Sequence, residues 1–224
     1  MKVVHEYQGI RYVECPDVYP VSEDSIFLLR SVEDMISKTR GRLMDMGCGV
    51  GLITLIAASR GWEVIAVDRE PSALQCLNYN LRLNGMVGVR KMISDLFCGV
   101  PGGYLGYFDL ITFNPPYVEA HGEPVSPRDD LALSGGSKGT ETTLRFLRDA
   151  FRFLSDDGKL LLLGYGSWPV EDWMSERAPS FTVRRIDTLD LDGEEITIFL
   201  MGNRNSAIGE SLYCSDDNSM KGGI

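Results

Sequence analysis

From Arg42 onward, short apolar runs alternate with stretches whose apolar residues recur at helical spacing. Arg42–Met46, Glu63–Val67, Val87–Ile93, Phe108–Phe113, Lys159–Leu163, Phe181–Ile186 and Ile196–Met201 predict seven strands. Leu52–Ser59, apolar on nearly every side, predicts a buried helix. Pro71 stands at a first helical position, followed by the stripe Leu74, Leu77 and Leu81 and by Gly85 past the end, which predicts a second helix. Thr140 is placed to cap a helix running to Leu154, with Glu141 four residues ahead of Arg145. Strands alternating with helices predict an α/β fold, a doubly wound, mostly parallel seven-stranded sheet spanning residues 39–201. Residues 1–38 form an N-terminal extension whose second half, Ser22–Lys38, is expected to be a helix on the core. Residues 202–224 are polar and without periodicity, which predicts a loose tail.

The 224 residues are 44% hydrophobic and 24% charged, an ordinary globular balance that excludes a disordered or fibrous chain. Twenty-two basic against 32 acidic residues give a net charge of −10, which argues against a broad nucleic-acid footprint. No uncharged run reaches the roughly 18–20 apolar residues of a membrane span, and the N-terminus has no segment of signal-peptide type. Five scattered cysteines (Cys15, Cys48, Cys76, Cys98, Cys214) with no Cys-x-x-Cys suit a reduced cytoplasmic protein better than a disulfide frame. With His5 and His121 as the two histidines, no metal site is expected.

Candidate chemistry begins where the first strand meets the buried helix, at Asp45-Met-Gly47-Cys-Gly49-Val-Gly51. Glycines let the backbone turn tightly and approach a ligand without a Cβ in the way. A nicotinamide fingerprint would need a glycine at Leu52, so that spacing fails. Asp45 is instead suited to the amino group of a methionine moiety. Asp68, ending the second strand, can accept both ribose hydroxyls. Asp95, ending the third, can take an adenine amino group, with Leu96 or Phe97 against the ring. Acids at the carboxyl ends of successive strands occupy the usual ligand crevice of open α/β sheets, and together they point to S-adenosyl-L-methionine.

The fourth strand runs into Asn114-Pro115-Pro116-Tyr117. Two prolines fix their φ angles and remove two backbone donors, which leaves nearby carbonyls free to accept. The Asn114 oxygen and the Pro115 carbonyl can take both hydrogens of a planar –NH₂, and Tyr117 can pack on its flat face. Holding such a nitrogen in line with a sulfonium methyl supplies proximity, and the acceptors match the charge that develops.

These two motifs resemble the HemK/PrmC-type glutamine N5-methyltransferases, Rossmann-like class I enzymes, and the resemblance runs from about Val18 to Met201. Tyr19-Pro-Val-Ser-Glu-Asp-Ser25-Ile-Phe-Leu-Leu is similar to the family's Y-x-P-x-E-D-[ST]-x-x-L-L segment. Leu131-Ala-Leu-Ser-Gly-Gly136-Ser-Lys-Gly139 is similar to its G-G-x-x-G loop. Residues 1–38 cannot supply the helical N-terminal domain of bacterial relatives, so the match is to the short archaeal and eukaryotic branch. The resemblance implies cofactor contacts at Ser25, Asp45, Gly47, Asp68, Asp95 and Leu96, and target binding at Asn114, Pro115, Pro116 and Tyr117. It implies methylation of the Gly-Gly-Gln glutamine of a class-1 release factor. It also implies a small zinc-binding activator subunit along the third strand, Val87–Ile93, where Arg90 and Lys91 equally suit a blunted free edge.

Adenine methyltransferases use the same Asn-Pro-Pro-Tyr box on another planar amine, so DNA or RNA adenine is an alternative acceptor, protein lysine a second. A silent cofactor-binding scaffold is the non-enzyme alternative. The lip Val118–Thr140 carries Arg128 and Lys138 against Glu119, Glu123, Asp129 and Asp130, a balance of 2 − 4 = −2 that disfavours a polyanion. Arg145, Arg148 and Arg152 form a helical stripe read as a solvated face.

Overall fold

The computed structural model describes residues 3–117, 139–191 and 193–204. The chain opens with a hairpin of β1 (Val4–Tyr7) and β2 (Ile10–Val13) that the apolar pattern does not signal. Its two-residue turn, Gln8-Gly9, has φ of 48° and 80°, the twist that matches paired strands. After it come α1 (Glu23–Ile36), β3 (Arg42–Met46), α2 (Leu52–Ser59), β4 (Glu63–Asp68), α3 (Pro71–Leu83), β5 (Arg90–Ile93) and β6 (Phe108–Phe113). Then follow α4 (Glu141–Ala150), β7 (Leu154–Tyr165), α5 (Val170–Arg177), β8 (Phe181–Leu191) and β9 (Glu194–Asn203).

The seven strands β3 to β9 form one sheet in the order β5-β4-β3-β6-β7-β9-β8. Pairs β3–β4, β4–β5, β3–β6 and β6–β7 are parallel, while β9 is antiparallel to both β7 and β8. β9 alone therefore runs against the rest of the sheet, the doubly wound, mostly parallel class that the sequence predicts. Alternate residues serve opposite faces. Leu43, Val64, Leu110 and Leu161 pack with α1, α2 and α3, and Met44, Ile65, Ile111 and Leu160 pack with Phe146 of α4 and Met174 of α5. Burial on both faces is why these strands are nearly continuous apolar runs. The chain moves outward from β3 to β4 and β5, then returns to β6 on the other side. The carboxyl ends of β3 and β6 thus flank the point where the order reverses, the usual ligand crevice of such sheets.

The hairpin docks on α3 through two asparagines one helical turn apart. Asn80 Oδ1 accepts from Val13 N at 2.9 Å, and its Nδ2 donates to the Val13 carbonyl at 3.0 Å. Asn84 does the same for Arg11, at 2.9 and 2.6 Å. This docking brings Cys15 to Cys76, 61 residues away, with 6.0 Å between Cα atoms, and the two are disulfide-bonded. The expectation of unpaired cysteines is corrected here, because scatter along the sequence does not reveal a pairing made by tertiary packing. Cys48 is free and buried and Cys98 free and exposed, while Cys214 lies outside the described residues.

Other differences have local causes. β5 starts at Arg90 rather than Val87, since Gly88 has φ +87° and Val87 is 93% exposed. Helix α4 ends at Ala150 rather than Leu154, and Thr140 precedes it without a side-chain capping bond. β8 continues past Ile186 to Leu191, and β9 to Asn203. The predicted tail therefore starts inside a strand, and residues 205–224 lie outside the description. The lip is likewise outside it, Gly139 and Thr140 excepted. No described helix is long and apolar enough to cross a membrane.

Candidate active site

The loop after β3 passes against α3 at Gly51, whose φ is +91° and where a Cβ would fall 2.4 Å from Leu77 Cδ1. Only glycine fits there. At Gly49 (φ +53°), by contrast, no atom lies within 4 Å of the Cβ position. The loop's outer side is a bare backbone surface on a cavity of about 260 Å³. Ser25, Asp45, Gly47, Gly49, Asp68, Asp95, Leu96, Asn114, Pro115, Pro116 and Tyr117 all line this cavity. Phe97 does not. It stacks in the core on Phe146 and Phe153 with centroids 5.4 and 4.6 Å away, so of the two apolar candidates Leu96 alone is at the site.

Asp45 is 3% exposed. Its Oδ2 accepts from Thr54 N at 3.1 Å and Thr54 Oγ1 at 2.6 Å, and its Oδ1 from Thr112 Oγ1 at 3.3 Å. Burial pushes the carboxyl up to about 6 against those hydrogen bonds. Asp68 accepts from Gly49 N at 3.0 Å through Oδ2 and from Glu70 N at 2.9 Å through Oδ1. Burial raises its pKa as well. Each carboxylate oxygen has further acceptor capacity, so one amide bond apiece leaves Asp68 able to take hydroxyl donors. Burial, with the neighbouring Asp68 and Asp45, pushes the Cys48 thiol well up, which keeps it protonated and unreactive in the loop.

The loop after β5 is shaped by Ser94, whose Oγ donates to the Leu96 carbonyl at 2.7 Å and accepts from Gly99 N at 2.8 Å. Leu96 is held at φ +51°, a strained conformation for a side-chain-bearing residue and one that recurs at binding sites. Asp95 meets Arg145 of α4, with Nη2 2.6 Å from Oδ2. The arginine stripe therefore divides: Arg145 belongs to the cavity rim, while Arg148 and Arg152 pair with Asp149 on the outer face.

At the end of β6, Asn114 Nδ2 donates to Asp24 Oδ2 at 3.0 Å and the Tyr117 hydroxyl donates to the same oxygen at 2.7 Å. The Tyr117 ring stands edge-on to Tyr165, 5.2 Å away. Asn114 Oδ1 is buried and has no hydrogen-bond partner among the described residues. Asp24 and Arg145 carry contacts that the sequence reading does not assign. Asp24 lies inside the quoted N-terminal segment, but its partners stand 90 and 93 residues further on.

Residues 21–129 match the Methyltransferase small domain family. A protein from Methanocaldococcus jannaschii, named as a protein N5-glutamine methyltransferase, is 33% identical over 163 residues, covering 72% of this chain and 79% of its own length. This chain belongs to the HemK-type protein N5-glutamine methyltransferases. Methyltransferase HEMK2 of Mus musculus is 33% identical over 153 residues, 66% of this chain and 71% of the relative. Among solved structures, the Mtq2–Trm112 complex of E. cuniculi, described as responsible for methylating the termination factor eRF1, aligns with a TM-score of 0.60. At 22% identity, over 84% of this chain and 99% of that one, it shows the shared fold.

The HemK-type chain is thus an S-adenosyl-L-methionine-dependent methyltransferase. The cavity fits that cofactor. Buried acids offer acceptors for amino and hydroxyl groups, the Gly49 backbone leaves room for close approach, and Leu96 offers an apolar wall.

Proposed function

We propose that this enzyme methylates the side-chain amide of the glutamine in the Gly-Gly-Gln loop of a class-1 peptide chain release factor. The reading is carried by Asn114 Oδ1, a buried acceptor with no partner among the described residues, on the wall of the cofactor cavity. A buried acceptor left unpaired costs on the order of 1–3 kcal/mol, and an incoming N–H offsets that cost. Bound S-adenosylmethionine supplies an electrophilic methyl group. Ser25, Asp45, Gly47, Gly49, Asp68, Asp95 and Leu96 hold it. Asn114 Oδ1 and the Pro115 carbonyl accept the two N–H groups of the planar amide, while Pro116 and Tyr117 complete the target cleft.

Residues 39–201 are the catalytic unit in this reading, and residues 1–38 an extension that adds α1 and Asp24 to it. Likeness to a relative named as a protein N5-glutamine methyltransferase and a net charge of −10 support a protein acceptor over a nucleic acid. A small activator subunit pairs along β5, one of the two terminal strands of the sheet. Likeness to a chain solved as a two-protein complex supports this pairing. Translation termination places the enzyme in the cytoplasm.

Labelled methyl transfer to a release factor, its Gln→Ala variant and duplex DNA tests the acceptor. Label confined to the first is expected. Label on DNA, or equal label on the Gln→Ala variant, would replace the reading with adenine or lysine.

A further inference from the structure

One carboxylate joins the first turn of α1 to the end of β6. Asp24 is 7% exposed, and five donors converge on it. Its Oδ2 takes the Asn114 and Tyr117 donors, and its Oδ1 takes the Ser25 backbone N–H at 2.6 Å, the Ser22 hydroxyl and, at 3.4 Å, the Ser25 hydroxyl. An ionised carboxylate only accepts, so every group facing it must donate. An asparagine amide has two ends of similar size, one donating and one accepting, and packing alone does not choose between them. The charge of Asp24 makes the choice. It takes the nitrogen and leaves the oxygen without a partner among the described residues.

We propose that Asp24 is the positioning residue of the methyl-acceptor site, holding Asn114 so that its oxygen, never its nitrogen, is offered to the substrate. The proposal rests on the reading of Asn114 given above. Two consequences follow. The site accepts N–H donors and rejects groups that present a lone pair to it. A hydrogen bond from Nδ2 to a carboxylate also drives electron density through the amide onto Oδ1, which strengthens that oxygen as the substrate nitrogen becomes positive. Tyr117 hangs on the same oxygen, so both ends of the Asn-Pro-Pro-Tyr box are fastened to one acid. Burial pushes the Asp24 carboxyl up, but its hydrogen bonds outweigh this and hold it below the usual carboxylate range. It therefore stays ionised at neutral pH.

The test compares wild type, Asp24→Asn, Asn114→Ala and the double variant of the full chain, with release factor as acceptor. Asp24→Asn should lower kcat by about thirty- to a hundredfold while KM and the S-adenosylmethionine Kd stay within about twofold. In the Asn114→Ala background the same change should cost less than about twofold, because the function it supports is already gone. Losses that multiply across the cycle would mark Asp24 as merely structural and overturn the proposal. A second measurement needs no Asp24 variant. The wild-type Asn114 side-chain amide, assigned by its absence in Asn114→Ala, should show one proton shifted downfield and slow to exchange with solvent. An ordinary, freely exchanging amide pair would overturn the proposal. A wild type that keeps this signature yet leaves release factor unlabelled supports the positioning of Asn114 and overturns the glutamine reading alone.

Discussion

Arg145 of α4 and Asp95 beyond β5 form an ion pair of 2.6 Å that ties a helix on one face of the sheet to the rim of the cofactor cavity. Both side chains are about half exposed, so the pair contributes little to folding, on the order of 0.2–1 kcal/mol. Its effect is to hold Asp95 in place. Arg145→Ala should leave Tm within about 2–4 °C of wild type and weaken S-adenosylmethionine binding by about three- to tenfold, or roughly 1 kcal/mol. Thermal melting and titration calorimetry on the same preparations check both halves.

Asp68→Ala removes an acid that already accepts from the Gly49 and Glu70 amides and that we assign to the ribose hydroxyls. Hydrogen bonds to charged groups are the stronger kind, so the loss should be on the order of 2–3 kcal/mol. Calorimetry should show Kd raised by about thirty- to a hundredfold or more. Unchanged affinity would remove Asp68 from the site.

Asn114→Ala should separate chemistry from cofactor binding. Methyl transfer should fall about a hundred- to a thousandfold, the cost of one preorganised group at a developing charge. The S-adenosylmethionine Kd should hardly move. Loss of cofactor binding would place Asn114 on the donor side instead.

Asp45 predicts a pH dependence of definite sign. Its folded pKa, about 6, lies above the roughly 3.9 of an unfolded aspartate. The native state therefore binds that proton more tightly, and the stabilisation is complete below about pH 4 and lost as pH rises through about 6. Denaturant titrations should show wild type gaining stability relative to Asp45→Asn between about pH 7 and 5. Cofactor affinity should run the opposite way, weakening below about pH 6 as the ligand's amino group loses its counter-charge. A flat affinity profile would exclude contact between Asp45 and that group.

The disulfide between Cys15 and Cys76 restricts a loop of 61 residues that contains Asp24, Asp45 and Asp68. Cys15→Ser should lower unfolding stability by about 2–4 kcal/mol, mainly through the freer unfolded chain. Urea titration with and without reductant measures it. Methyl transfer by the folded variant should survive, since neither cysteine lines the cavity.

β3 and β6 are legible to the residue because each is a mostly apolar run, broken only by Arg42 and Asp45 or by Asp109 and Thr112, and closed by Gly47 or by Asn114-Pro115. The glycine loop and the acids at or just past the ends of β3, β4 and β5 are legible because a strand end fixes where the next side chain emerges. The hairpin and α5 are not. Four-residue strands and a helix burying only Val170 and Met174 leave too short a pattern to register. Asp24, Arg145 and Cys15 escape because their partners are set by tertiary packing. The partner of Arg145 is 50 residues distant and that of Asp24 is 90. Phe97 looks like a cofactor wall in sequence and becomes core because Phe146 and Phe153 stack on it.

Asn80 and Asn84 have a consequence for how the molecule meets its neighbours. In this two-residue hairpin, Arg11 and Val13 turn their backbone groups away from β1, and an exposed row of that kind templates aggregation. The two side-chain amides occupy that row from within the chain, as a further strand would. The main sheet is different: β5 ends it with Ile93 62% exposed. Self-association is thus discouraged at the small sheet by built-in imitation of a strand, while the large sheet keeps an adhesive border along β5.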